Sequence, residues 1–231
     1  MQIHGFMKTT LLDYPGHVAA TIFTGGCNFR CPFCHNASLV LDPSSVPLID
    51  TNEVLTILKK RKHLLSGVCI TGGEPTLQND LETFIMELKS LGYLIKLDTN
   101  GTNPDMIITL FKKGLLDYVA MDIKSCESSY QKTAGITSVS LEKIRDSVSF
   151  LKSGVLPYEF RTTLVSGLHT ATDMEQIGLW LQGADAYYLQ PYKHSDHVIQ
   201  KGLSAPDRKT LEHYLEIIRP YIPTVSLRGI E

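Results

Sequence analysis

Three of the five cysteines, Cys27, Cys31 and Cys34, fall within eight positions of the stretch TGGCNFRCPFCHN (24–36). Thiolates are soft ligands, suited to iron–sulfur clusters or to zinc. Three of them make neither a disulfide framework nor a closed four-ligand site. The C-x3-C-x2-C spacing can instead wrap three irons of a cubane [4Fe-4S] cluster, leaving the fourth iron open to a substrate. Gly25 and Gly26 permit the tight bend that brings the backbone close to such a cluster. The alternative is a Cys3His zinc site completed by His35. Adjacent Cys34 and His35 would strain one tetrahedron, because zinc ligands are typically separated by two or more residues, so the cubane fits better. Cys69 lies inside a strand and reads as a small apolar core residue; Cys126 reads as a rim residue with no evident partner.

Such a loop needs elements to position it, and the chain supplies a rhythm of short apolar strands and amphipathic helices. Strands are expected at 18–24, 67–71, 93–99, 117–123, 158–165, 186–190 and 224–228, with helices near 51–62, 78–91, 103–113, 140–153, 172–182 and 206–219. Several strands are apolar on both faces, as in a parallel sheet covered by helices on both sides. Leu77, Leu81, Phe84, Ile85 and Leu88 recur at helical spacing. Pro206 and Asp207 mark the start of the last helix, since proline suits a first turn and an acid suits the dipole there. Alternating β and α units imply right-handed crossovers, and hence an open doubly wound sheet or a full or partial barrel. In either architecture function sits at the strand C-terminal ends. The polar residues agree: Cys27 follows the first of these strands, TGGEP ends the second, DTNG the third and MDIK the fourth. Arg161 lies within the fifth, and LQPYKH leaves the sixth.

Bulk properties narrow the class. A chain of 231 residues with 43% hydrophobic content can bury one full core, and no repeat or linker divides it. Lys plus Arg number 22 against 24 Asp plus Glu, a net charge of -2, which disfavours bulk nucleic-acid binding and a polybasic membrane surface. No apolar run approaches the roughly 20 residues of a membrane span. The N-terminal stretch lacks a signal-peptide layout, and the odd cysteine count points to a reducing cytoplasm.

With Phe33 just before the last cysteine, the cysteine loop resembles the signature of the radical S-adenosylmethionine (SAM) superfamily. TGGEP (71–75), 37 residues after Cys34 at the end of the next strand, matches that superfamily's glycine-rich SAM motif. The resemblance implies a partial (β/α)6 TIM-like barrel, expected here as one domain over 1–231. Its first strand and cluster loop would occupy 17–36, and a C-terminal helix and strand 206–231. KTTLLDYPGHVAATIFTGGCNFRCPFCHN (8–36), TGGEPTLQ, DTNG and MDIKS together are similar to the glycyl-radical-enzyme activases. The TLLDYPG lead-in most resembles anaerobic ribonucleoside-triphosphate reductase activating proteins, with pyruvate formate-lyase activases next.

That family implies a chemistry. The amino and carboxylate groups of SAM chelate the unique iron, one electron cleaves the sulfonium bond, and the 5'-deoxyadenosyl radical takes a hydrogen from a glycine Cα of a partner enzyme. Flavodoxin or ferredoxin supplies the electron. Gly72 and Gly73 would let the backbone approach methionine, and Glu74 would accept from its ammonium; the rival role for Glu74 is an acid at a helix N-terminus. Lys124 and Arg161 would neutralise the methionine carboxylate, because unpaired charge in apolar strands is costly. Asp98, Thr99 and Asp122 could hold a monovalent cation beside it, with N-cap duty the rival for Asp98. Phe33, His35 and Asn36 would pack and hydrogen-bond adenine. LQPYKH departs from the LPYH of pyruvate formate-lyase activases: Lys193 takes the histidine position and His194 is displaced by one, while His169 and His197 read as structural or solvated. The gap between Cys34 and GGEP holds no cysteine, so one cluster per chain is expected. Two other readings stand beside the activase: a small-molecule radical SAM enzyme such as a 7-carboxy-7-deazaguanine synthase, and a zinc- or cluster-binding interaction module without catalysis. A near-minimal barrel with an open side suits a macromolecular substrate, which favours the activase.

Overall fold

The computed structural model describes residues 1–230. Eight strands follow in sequence order: β1 (Ile3–Thr10), β2 (Ala19–Thr24), β3 (Gly67–Gly72), β4 (Leu94–Thr99), β5 (Tyr118–Asp122), β6 (Tyr158–Leu164), β7 (Tyr187–Pro191) and β8 (Ser226–Leu227). The helices are α1 (Ala37–Leu41), α2 (Thr51–Arg61), α3 (Leu81–Ser90), α4 (Pro104–Lys112), α5 (Tyr130–Ala134), α6 (Leu141–Lys152), α7 (Ala171–Trp180) and α8 (Arg208–Ile218). The chain groups into two compact units, residues 1–28, 38–99 and 103–120 in the first and residues 29–37, 100–102 and 121 onwards in the second.

In the first unit β2, β3 and β4 run parallel, with Ala19 to Thr24 facing Gly67 to Gly72 in unbroken register. Ala19, Ala20, Ile22, Val68, Ile70, Ile95 and Leu97 are fully buried, as strands apolar on both faces must be. α3 presents Leu81, Phe84, Ile85 and Leu88 to the core, the stripe expected from the sequence. Leu77, counted in that stripe, is instead 44% exposed. Pro75 opens a short 3-10 turn over Pro75–Leu77, capped by the Glu74 side chain, and the α-helix begins only after Asp80. β1, absent from the expected strands, pairs antiparallel with β2. It buries only its end residues, Ile3 and Thr10, so the alternation that betrays a strand is missing.

In the second unit β6, β7 and β8 are parallel. The expected strand over 224–228 shrinks to Ser226–Leu227. α7 opens on a capping box in which Thr170 and Asp173 satisfy each other's backbone N–H groups. α8 is capped by Asp207, whose side chain accepts from the Thr210 N–H at 2.8 Å, one residue after the proline that announced it. No helix among the described residues is long and apolar enough to cross a membrane.

Candidate functional site

In the first unit the C-terminal end of β3 is zipped to the segment that precedes Cys27. Gly73 N–H donates to the Thr24 carbonyl and Glu74 N–H to the Gly26 carbonyl, both at 2.8 Å, while Gln78 Nε2 donates to the Gly25 carbonyl at 2.8 Å. The approach is so close that a Cβ on Gly73 would lie 1.9 Å from the Gly26 oxygen, and Gly72 adopts φ +112° with its own Cβ position 2.4 Å from the Thr24 nitrogen. The chain's own backbone therefore already demands both glycines.

Glu74 is 1% exposed. Its Oε1 accepts from Thr76 N–H at 3.1 Å, Thr76 Oγ1 at 2.6 Å and Thr99 Oγ1 at 2.7 Å. The acid thus caps the following turn, the rival role weighed from sequence, and ties the ends of β3 and β4 together through Thr99. The next carboxylate back, Asp98, forms an ion pair with the buried Lys96 ammonium on the same strand. Cys27 is half-buried, and all five cysteines are free of disulfides.

In the second unit Cys31 is buried and Cys34 half-buried, and Cys34 N–H donates to the Cys31 carbonyl at 3.0 Å. Burial pushes the Cys34 thiol up, against the Asn36 backbone N–H and the positive charge of Lys124. The segment leaving β7 braces this loop at three points. His35 Nε2 donates to the Lys193 carbonyl at 2.8 Å, Ala37 N–H to the His197 carbonyl at 3.3 Å, and Gln200 N–H to the Pro32 carbonyl at 2.8 Å. Lys193, which takes the histidine position of LPYH, is therefore engaged through its backbone, and the His35 ring also lies 5.6 Å from that of Tyr192. Phe33 is buried, with its ring 6.5 Å from that of His169.

At the end of β5, Asp122 accepts from Arg161 Nε at 2.9 Å on one oxygen and from Lys124 Nζ at 3.0 Å on the other. Burial would raise the Asp122 pKa, but the two cations outweigh it and bring it to about 2. Lys124 is shifted the opposite way: burial disfavours its charge, and the Asp122 carboxylate more than compensates. The folded pKa of Asp122 lies below the ordinary 3.8, so the stability from this pairing is complete above 3.8 and is lost as pH falls toward about 2. Asp122→Asn is expected to cost about 2 kcal/mol at neutral pH, because it removes the carboxylate that two cations share; the 34% exposure of the Asp122 side chain keeps the cost below that of a fully buried pair. It should also flatten the acid limb of stability. Urea unfolding of both proteins at neutral and acid pH measures this, and parallel pH profiles would refute it.

The charge array extends further than the sequence suggested. Glu159, 1% exposed, lies 4.0 Å from Arg161 and is gripped by both terminal nitrogens of Arg228 at 2.8 Å; Arg228 also stacks 3.5 Å over the Tyr188 ring. Nothing in the sequence points to Arg228, whereas Glu159, between Tyr158 and Phe160 of β6, is a charge between apolar strand residues. Lys96 is legible by the argument that singles out Arg161, a charge between apolar strand residues. His169 proves structural, as expected. Its Nδ1 accepts from Val165 N–H at 3.1 Å and its Nε2 donates to the Lys124 carbonyl at 2.8 Å, while burial lowers its pKa and keeps the ring neutral. Cys126, expected to lack a partner, donates its thiol to Asp173 at 2.9 Å, inside the network that caps α7.

A parallel α/β fold with a cysteine loop and a glycine-rich strand end describes a class of cofactor enzymes, and the sequence comparison assigns the class: residues 21–181 match the radical SAM superfamily, to which this chain belongs. A candidate glycyl-radical enzyme activating enzyme of Methanocaldococcus jannaschii is 31% identical over 99% of this chain and 96% of its own length. The pyruvate formate-lyase-activating enzyme of Staphylococcus epidermidis is 28% identical over 79% of this chain and 76% of its own. Among solved structures, Streptococcus suis SuiB bound to the precursor peptide SuiA superposes with a TM-score of 0.72 at 15% identity, over 91% of this chain and 48% of that one. At that identity the likeness concerns the fold, and this chain spans about half of the larger protein. The α/β fold of the radical SAM type is thus the one the sequence implied.

Proposed function

We propose that this protein is a radical SAM activase that installs a glycyl radical on a partner enzyme, an anaerobic ribonucleoside-triphosphate reductase. The observation that carries the reading is end-to-end similarity to a candidate glycyl-radical enzyme activating enzyme, with no large segment of either chain left unmatched. The TLLDYPG lead-in supports the reductase branch.

The donor chemistry fits the cofactors this family implies. Cys27, Cys31 and Cys34 offer three soft thiolates outside any disulfide, and they would hold one [4Fe-4S] cluster. When bound, cluster and SAM together supply the electron transfer and the carbon radical that removes a glycine Cα hydrogen. The protein's own residues position and neutralise. The zipped backbone at Gly72 and Gly73 holds the β3 rim where methionine would lie along it, with Glu74 fixed through Thr76 and Thr99 as its polar end. Lys124 and Arg161, held by Asp122 in an array that also includes Glu159 and Arg228, are the two cations assigned to a carboxylate. Phe33 and Asn36 are assigned to adenine, and His35 to the same side with its Nε2 committed to the Lys193 carbonyl. The electron donor is flavodoxin or ferredoxin, and the compartment the cytoplasm.

The test is anaerobic reconstitution with iron and sulfide, then reductant and SAM, with and without candidate partners. The expected result is 5'-deoxyadenosine together with a doublet electron paramagnetic resonance signal on the reductase. A doublet on pyruvate formate-lyase instead would move the partner and keep the activase. Absence of 5'-deoxyadenosine from a cluster-loaded protein would end the reading.

A further inference from the structure

Lys96 is a lysine where strands do not ordinarily put one. It occupies the middle of β4 between Ile95 and Leu97, both fully buried, and is itself only 1% exposed. Its ammonium pairs with Asp98, two residues on and therefore on the same face of the strand. Its next polar neighbour is the Cys69 sulfur at 3.7 Å, on the residue directly opposite in β3. Removing an ammonium and a carboxylate from water costs several kcal/mol per ion, and a buried pair is often no more stable than apolar residues of similar volume. Stability is thus a poor reason to keep this pair. What the pair does provide is a positive charge fixed at Asp98, the residue just before Thr99, which ties β4 to Glu74.

A carboxylate at a strand end that must face an anionic cosubstrate can be balanced in two ways, by a bound monovalent metal ion or by an ammonium tethered to the chain. The tethered ammonium carries the same charge and does not dissociate. We infer that Lys96 is the resident cation of Asp98 and fills the electrostatic role of a bound Na+ or K+, so the cosubstrate rim needs no monovalent metal at Asp98. Asp122, the other acid expected to face a metal ion, likewise has Lys124 on one oxygen and Arg161 on the other. The relevance to SAM rests on the proposed function; the charge pairing itself does not.

The test uses the full-length protein without cluster or SAM, so its result is independent of whether the protein activates anything. Thallium-205 magnetic resonance, with Tl+ as the K+ probe, should show no saturable binding to the natural protein. Its thermal midpoint should be equal in potassium chloride and in tetramethylammonium chloride at matched ionic strength. Lys96→Met leaves Asp98 without its ammonium and is expected to lower the midpoint by about 5 °C in tetramethylammonium, for a chain of this size. Potassium should restore most of that loss, with saturable Tl+ binding. The double variant Lys96→Met with Asp98→Asn should lose both the potassium response and the Tl+ binding. Saturable Tl+ binding to the natural protein that Asp98→Asn abolishes would overturn the inference. So would a folded Lys96→Met protein indifferent to potassium. If Lys96→Met does not fold, the natural protein and Asp98→Asn alone still decide the question. On the reconstituted protein, SAM affinity should be unchanged when sodium and potassium are withdrawn.

Discussion

Cys34→Ala is expected to give a folded protein that no longer retains a full cluster and forms no 5'-deoxyadenosine above background. The loop does not depend on the Cys34 sulfur for its shape. Cys34 contributes its backbone N–H to the Cys31 carbonyl, and the segment leaving β7 holds the loop at His35, Ala37 and Pro32 through bonds that alanine leaves intact. What alanine removes is one of the three thiolates proposed to hold the cluster, and a cubane left with two protein thiolates would be lost or degraded. Cys126→Ala supplies the contrast: its sulfur belongs to the Asp173 network at the start of α7, so that variant should lose some stability and keep its iron. Iron and sulfide per chain after anaerobic reconstitution, with 5'-deoxyadenosine by chromatography, separate the two. Equal iron in both variants, with SAM still cleaved by Cys34→Ala, would remove the cysteine loop from the chemistry.

Gly73→Ala should be nearly as damaging, for a different reason. The added Cβ would lie 1.9 Å from the Gly26 oxygen and 2.7 Å from its carbonyl carbon, and both are backbone. No flexible side-chain end is available to yield, so either the end of β3 or the segment just before Cys27 must move, breaking the hydrogen bonds from Gly73 and Glu74. Overpacking of this kind costs about 1–3 kcal/mol, which for a chain of this length lowers the thermal midpoint by roughly 2–12 °C. The loss of activity should be larger than the loss of stability, because an ångström-scale displacement is enough to spoil a reacting geometry. Calorimetry and SAM cleavage on one preparation test this. An unchanged midpoint with full cleavage would mean that the strand end is looser than its backbone bonds indicate.

Both variants strike features that the amino-acid sequence displays without help from the fold. Ligand type and spacing are local: Cys27, Cys31 and Cys34 lie within one short loop, and a soft donor set of three advertises a vacancy whatever surrounds it. Helix faces are local as well, since Leu81, Phe84, Ile85 and Leu88 reveal their stripe through a period of 3.6. Even so, local signals mislead at Leu77, where Pro75 and the Glu74 cap insert a separate turn that no periodicity count detects. They are silent at β1, an edge strand with only its two ends buried.

The reason the chain tolerates no side chain at Gly73 lies in the tertiary structure. Sequence reasoning places that glycine at a ligand, whereas the backbone of Gly26 already occupies the space. The ionic partnerships are only partly legible in the sequence, where Asp98, Thr99 and Asp122 could hold a monovalent cation, Asp98 could instead be an N-cap, and Lys124 and Arg161 are read as facing a substrate carboxylate. The folded chain pairs them with one another and with Lys96, and Glu159 with Arg228 across 69 positions. Residue types and their spacing thus displayed by themselves a soft donor set of three and roughly where the strands and helices run. Tertiary structure decided the ion pairs that are distant along the chain, Asp122 with Arg161 and Glu159 with Arg228, because such partners are chosen by distance in space, whereas Lys96 with Asp98 and Asp122 with Lys124 stand only two residues apart.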